Sequence, residues 1–169
     1  MKIEEQAKKI LQENFKELLD LPASLDGKKH HGESVYDHLK TTVKLIKECC
    51  NEFNISKEDT DMLSACGWLH DIGNFAITVK GKIDITGWKY YEHSNTSRNI
   101  YLWWHHGVLS TYVIDNFEIN RKEEIKKIVA SHMSHWCKDD PQPENLFQYI
   151  VCISDYFASI GKKIFDDEK

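Results

Sequence analysis

Arginine is almost absent: the 169 residues carry two, Arg98 and Arg121. Any phosphate contact must then come mainly from lysine, histidine, backbone N–H groups or a metal ion. The net charge of −5 argues against general affinity for a nucleic-acid backbone, although a local basic pocket stays compatible with it. No apolar run reaches the length of a membrane span. The charged, amphipathic start from Met1 to Leu11 does not have the form of a signal peptide. Cysteine is present but unpaired: Cys49, Cys50, Cys66, Cys137 and Cys152 are odd in number and form no Cys-x-x-Cys. Cys49, Cys66 and Cys152 fall in apolar helical patterns and read as reduced core thiols of a cytoplasmic protein, not as a disulfide framework. No internal repeat of useful length is visible.

What is there begins with ordinary bulk: 41% hydrophobic and 29% charged residues. A chain of this length is expected to form one domain, residues 1–169, with a substantial core. Apolar residues at helical spacing predict a helix over 2–20 (Ile3, Ala7, Ile10, Leu11, Phe15, Leu18), ended by Pro22. Ser34 caps a second helix to about Phe53, striped by Val35, Leu39, Thr42, Ile46, Cys49 and Phe53. Asp59 or Ser56 starts a third, with Met62, Leu63, Cys66, Leu69 and His70 inward, stopped at Gly73. Residues 74–90 read as an irregular excursion, a small hairpin or lid. Short helices follow at 91–104 and 107–117, then a helix over 121–135 carrying Ile125, Ile128, Val129 and His132 on one face. The last runs from about Glu144 to Lys162 on a stripe of Leu146, Ile150, Ile153 and Phe157. The fold class is all-α.

The chemistry centres on Trp68-Leu69-His70-Asp71-Ile72-Gly73. A neutral imidazole and an ionised carboxylate side by side at a helix end are both good donors to a divalent cation. The carboxylate has a second oxygen with which to reach another ion. A lone His-Asp pair is common by chance, and His38 or His132 taken singly reads more simply as a packed core histidine. Asp155 is harder to dismiss, because burying an unpaired charge costs several kcal/mol. His38, His106, His132 and Asp155 all sit on apolar stripes, and buried imidazoles together with carboxylates are what a cation compensates. His93 and His105 rival His106. A small zinc site from His132, His135 and Cys137 is a weaker alternative.

These residues resemble the HD-domain phosphohydrolase superfamily in five places. His31-Gly32-Glu33-Ser34-Val35-Tyr36-Asp37-His38 looks like the segment bearing the first ligand, and Leu69-His70-Asp71-Ile72-Gly73 like the signature. His106-Gly107-Val108-Leu109-Ser110-Thr111-Tyr112 and Ile128-Val129-Ala130-Ser131-His132-Met133 resemble the two extra histidine motifs of two-metal members. Ile153-Ser154-Asp155-Tyr156-Phe157-Ala158 resembles the terminal Asp motif. The resemblance, over about residues 31–158, implies an HD-domain-like helical bundle. It implies one or two divalent ions, with Mn, Fe, Co, Ni, Zn and Mg not distinguished. His38, His70, Asp71 and Asp155 would hold the first. Asp71 would bridge to a second ion on His106 and His132, which makes Asp71 and His106 the expected catalytic residues. Two such ions form a clamp for in-line displacement at phosphorus.

The chain departs from the pattern at Asn74, where many members have lysine, and at His132-Met133, where one two-metal branch has paired histidines. His31 and Lys29 near the first ligand, Asn74 after the signature, and His93 and Arg98 in the insertion are the candidate substrate-binding residues. The aromatic run Trp88, Tyr90, Tyr91, Tyr101, Trp103, Trp104 could pack in the core or stack a base. Trp103 and Trp104 cannot both face inward, so one is exposed, under a lid or at an interface, which leaves a homo-oligomer open. The expected activity is hydrolysis of a nucleotide or another small phosphate ester through a metal-activated water, with no membrane partner. Its rivals are a nuclease on short single-stranded nucleic acid, and a nucleotide-binding sensor that has lost the lysine and with it catalysis.

Overall fold

The computed structural model describes residues 1–20, 23, 33–75 and 105–166. Its elements are helices: α1 (Ile3–Asn14), α2 (Lys16–Leu19), α3 (Val35–Glu52), α4 (Lys57–Leu69), α5 (Ile72–Phe75), α6 (His106–Ile114), α7 (Lys122–Ala130) and α8 (Leu146–Asp166). The fold is all-α, as the stripes require. Among the described residues no helix is long and apolar enough to cross a membrane.

The bundle is built around α4. Every residue from Met62 to Leu69 is buried, which is how a helix enclosed on all sides reads. It packs against α1, α3, α7 and α8. α1 lays Ile3, Ala7, Ile10 and Leu11 on it, each larger side chain contributing roughly 1.5–3 kcal/mol when fully buried. The α1 N-terminus is held by α4 itself, because the Asp61 carboxylate accepts the Ile3 and Glu4 N–H groups at 2.7 and 3.2 Å. An anion there also suits the helix dipole. Trp68 Nε1 donates to Glu4 at 3.1 Å across the same interface.

Ser34 caps α3, its hydroxyl accepting the Asp37 N–H. Of the two candidates for α4, Ser56 is the cap, and Asp59 instead pairs with Arg121 at 2.8 Å. α3 ends at Phe53, followed by Asn54 at φ 53°, a left-handed position that asparagine tolerates.

Several sequence expectations need correction. The helix expected over 2–20 breaks between α1 and α2 at Phe15, whose ring is buried and meets Phe117 edge-on at 6.0 Å. The inner face of α3 ends on Cys50; Cys49 is half-buried and Phe53 is exposed. The helix at 121–135 stops at Ala130, so His132 lies in turns beyond it. The Ser131 hydroxyl donates to the Ile128 carbonyl and His132 Nδ1 lies on the Val129 carbonyl, and side chains that take these acceptors compete with the next helical turn. On α8 the buried residues among those described are Gln148, Ile150, Val151, Cys152, Ser154, Asp155 and Ala158, whereas Leu146, Ile153 and Phe157 are 42–50% exposed. The core stripe is therefore rotated from the expected one. The helix expected over 91–104, the aromatic run from Trp88 to Trp104 and most of the excursion at 74–90 lie outside the described residues.

Candidate metal centre

α4 delivers His70 at its C-terminal cap, and Asp71 follows in the turn before α5. Gly73 does not stop a helix: it lies inside α5, pressed on α6. A Cβ there would collide with the Ser110 backbone nitrogen and stand 2.6 Å from the His106 carbonyl oxygen. Glycine is needed for close approach, not for a left-handed stop. The Ser110 hydroxyl stitches this seam. It accepts the Gly73 N–H at 2.8 Å and lies 2.7 Å from the carbonyl oxygens of both His70 and His106, to one of which it donates. Sequence reasoning did not single out Ser110 as part of the site. Its position one turn after His106, on the same face, was the available signal.

Around that seam six side chains converge from α3, α4, α6, the turns after α7, and α8. His38, His70, Asp71, His106, His132 and Asp155 are all buried. They fall into two groups that share Asp71. In the first, His38 Nε2 lies 3.3 Å from His70 Nε2, 3.0 Å from Asp155 Oδ1 and 3.3 Å from Asp71 Oδ2. His70 Nε2 is 3.3 Å from Asp155 Oδ1 and 3.4 Å from Asp71 Oδ2. In the second, Asp71 Oδ1 meets His106 Nε2 at 2.8 Å and His132 Nε2 at 3.7 Å, and the two imidazoles are 2.9 Å apart.

Hydrogen bonds at the far side of two rings decide what those atoms are. His70 Nδ1 lies 2.8 Å from the Gly67 carbonyl and His132 Nδ1 2.7 Å from the Val129 carbonyl. A carbonyl only accepts, so each Nδ1 carries the hydrogen and, in the neutral ring, each Nε2 presents a lone pair. The His70 lone pair then faces oxygens of Asp71 and Asp155 at 3.4 and 3.3 Å, which is repulsive unless positive charge sits among them. Bonds of about 2.1 Å place neighbouring ligand atoms roughly 3.0 Å apart in an octahedron and roughly 3.4 Å in a tetrahedron. The first group, with separations of 3.0–3.4 Å, has that spacing. The residues fit a divalent cation at the first group; in the second, His106, His132 and the other Asp71 oxygen stand 2.8–3.7 Å apart.

The electrostatics agree. Burial pushes the His38 imidazole down, but its hydrogen bonds to Asp155 and Asp71 outweigh this and raise it to about 10. His70 is also raised: burial opposes, and the charges of Asp71 and Asp155 prevail. Burial would lift the carboxyls of Asp71 and Asp155, yet the surrounding imidazoles, His70 foremost, hold both well below their usual range. His132 is lowered, chiefly by burial. A pocket that draws protons onto His38 and His70 is one whose two carboxylates demand compensation.

His105 does not exchange with its neighbour; its Nδ1 turns to Asp140 at 2.7 Å. His135 does not join His132 and Cys137 in a zinc site. It is exposed, its Nδ1 faces Cys152 Sγ at 3.4 Å, and its ring lies against Trp136 and Tyr156. His31, Lys29, His93 and Arg98 lie outside the described residues, as does the side chain of Asn74, whose backbone belongs to α5.

A family model described as the HD domain covers residues 35–160, most of the chain. No curated protein and no solved structure matches.

Proposed function

From this chain's membership of the HD-domain family, we propose that it is a metal-dependent phosphohydrolase acting on a nucleotide or another small phosphate ester. The observation that carries the reading is the convergence of four buried imidazoles, His38, His70, His106 and His132, on the carboxylate of Asp71. Bound divalent metal would lower the pKa of a water toward neutrality and offset charge on the phosphoryl oxygens.

The chain's own residues do the rest. His38, His70 and Asp155 hold one half of the cage and His106 and His132 the other. Asp71 sets the distance between them because its two oxygens belong to different halves. The carbonyls of Gly67 and Val129 fix the tautomers of His70 and His132 and raise their basicity. Packing fixes the positions, so little reorganisation remains for the reaction. The net charge of −5 and the two arginines favour a small substrate over a polynucleotide. His31, Lys29, Asn74, His93 and Arg98 are the residues proposed to meet it.

The test is elemental analysis of the purified protein, followed by a nucleotide and aryl-phosphate screen with the best-fitting metal added. Asp71→Ala is expected to abolish both metal retention and turnover. Full metal content and activity in that variant would sink the assignment. Wild-type protein that holds metal but hydrolyses nothing in the screen would support the sensor reading instead.

A further inference from the structure

A second set of metal-capable side chains converges outside the central cage. His105, Cys137 and Asp140 each offer a ligand atom, and the three atoms lie within 4.8 Å of one another. Local structure brings them together. The Asp140 N–H bonds to the Cys137 carbonyl at 3.2 Å, closing a turn that places both side chains together. His105 is the residue from which α6 starts. His105 Nδ1 lies 3.7 Å from Cys137 Sγ and 2.7 Å from Asp140 Oδ1.

A plain His–Asp hydrogen bond explains the shorter distance and leaves something over. The Asp140 side chain is 2% exposed, and its second oxygen, Oδ2, is buried with no hydrogen-bond partner among the described residues. A buried acceptor left unmet is destabilising, and a carboxylate grouped with a thiol and an imidazole is one that a cation would satisfy. Bonds of about 2.3 Å to sulfur and 2.1 Å to nitrogen put those two atoms roughly 3.6 Å apart around a tetrahedral ion, close to the 3.7 Å observed.

We propose that His105 Nδ1, Cys137 Sγ and the Asp140 carboxylate form a separate structural site for a borderline-soft divalent cation, Zn²⁺, with solvent as fourth ligand. The thiolate selects zinc over magnesium or calcium, which prefer oxygen throughout. On binding, Cys137 releases its thiol proton to solvent and the His105 proton resides on Nε2. Asp140 exchanges its hydrogen bond to Nδ1 for a bond to the ion, drawing Oδ1 away from Nδ1 or offering Oδ2. The site joins the first residue before α6 to the turn that follows His132. It therefore ties together the two segments that carry His106 and His132, and the proposal stands whatever the central cage catalyses.

Full-length protein saturated with Co²⁺ is expected to show the near-ultraviolet charge-transfer absorption of a cobalt–thiolate bond. The central cage contains no cysteine ligand and cannot produce it. The band should disappear on adding Zn²⁺, be missing in Cys137→Ser and persist in Cys152→Ser. Absence of the band in the folded wild type, or its survival in Cys137→Ser, overturns the site. Should Cys137→Ser not fold, alkylation of the wild type followed by mass spectrometry decides. Zn²⁺ should slow modification of Cys137 at least tenfold and leave the half-buried Cys49 unchanged; equal rates at Cys137 with and without Zn²⁺ overturn it.

Discussion

His105 and His106 are neighbours in the chain and belong to different chemical settings. His106 is the first residue of α6, buried, with its Nε2 on the carboxylate that α4 delivers. His105 is half-buried one position earlier, and meets a turn that closes on itself. The central cage is assembled from five separated segments whose positions are set by the core. The outer cluster takes two of its three members from one four-residue turn. Long-range packing therefore governs the geometry of the first, and local hydrogen bonding that of the second.

The largest effect separating the two regions is expected from Gly73→Ala. Its added methyl meets backbone atoms of α6, which cannot rotate away. A loss of about 3 kcal/mol or more follows, together with metal release from the cage. A urea midpoint within experimental error of wild type would show that the seam between α5 and α6 is looser than described.

Ser110→Ala is expected to act one step more gently. It removes the hydroxyl linking Gly73 to the carbonyls of His70 and His106, costing about 1–3 kcal/mol. Metal affinity should fall roughly 10–100-fold, as for other residues that orient ligands. Equal loss of cobalt from the cage and of the cobalt–thiolate band would show the two clusters are coupled through α6; loss from the cage alone would show them separate.

The smallest effect is one of pH. His38 is raised from 6.5 to about 10, so in metal-free protein the stability it contributes is full below pH 6.5 and declines as pH rises toward 10. The slope is at most about 1.4 kcal/mol per pH unit for one proton. Metal must displace that proton, so affinity at the cage should rise up to about tenfold per unit over the same interval. Chemical denaturation with and without metal at several pH values checks both; a metal-free protein equally stable at pH 7 and pH 9 contradicts the assignment of charge to His38.

Much of this was legible beforehand because helical periodicity is local. The stripes Ile3, Ala7, Ile10, Leu11 and Met62, Leu63, Cys66, Leu69 state which faces are buried, although not that α4 is enclosed on all sides, and Ser34, with Ser56 or Asp59, marks where helices begin. The six cage residues could be listed from five short motifs. Phe15 was not legible as a break, because its ring is drawn off the helix by Phe117, about a hundred positions away. Nor was the face of α8: Leu146, Ile153 and Phe157 are apolar at helical spacing, yet the neighbours of α8 lie on the side of Asp155. Cys137 reads as a partner of His132 and His135 only if the helix continues past Ala130, where it stops.

The sequence by itself determined the helices, their caps and the inventory of imidazoles and carboxylates, since these depend on residues within a few positions of one another. Tertiary structure alone decided which nitrogen of His70 and His132 faces inward, that Gly73 serves a close helix contact, and that His105 joins Cys137 and Asp140. Those outcomes depend on carbonyls, backbone atoms and side chains from distant segments, and their distances follow only once the core around α4 has packed.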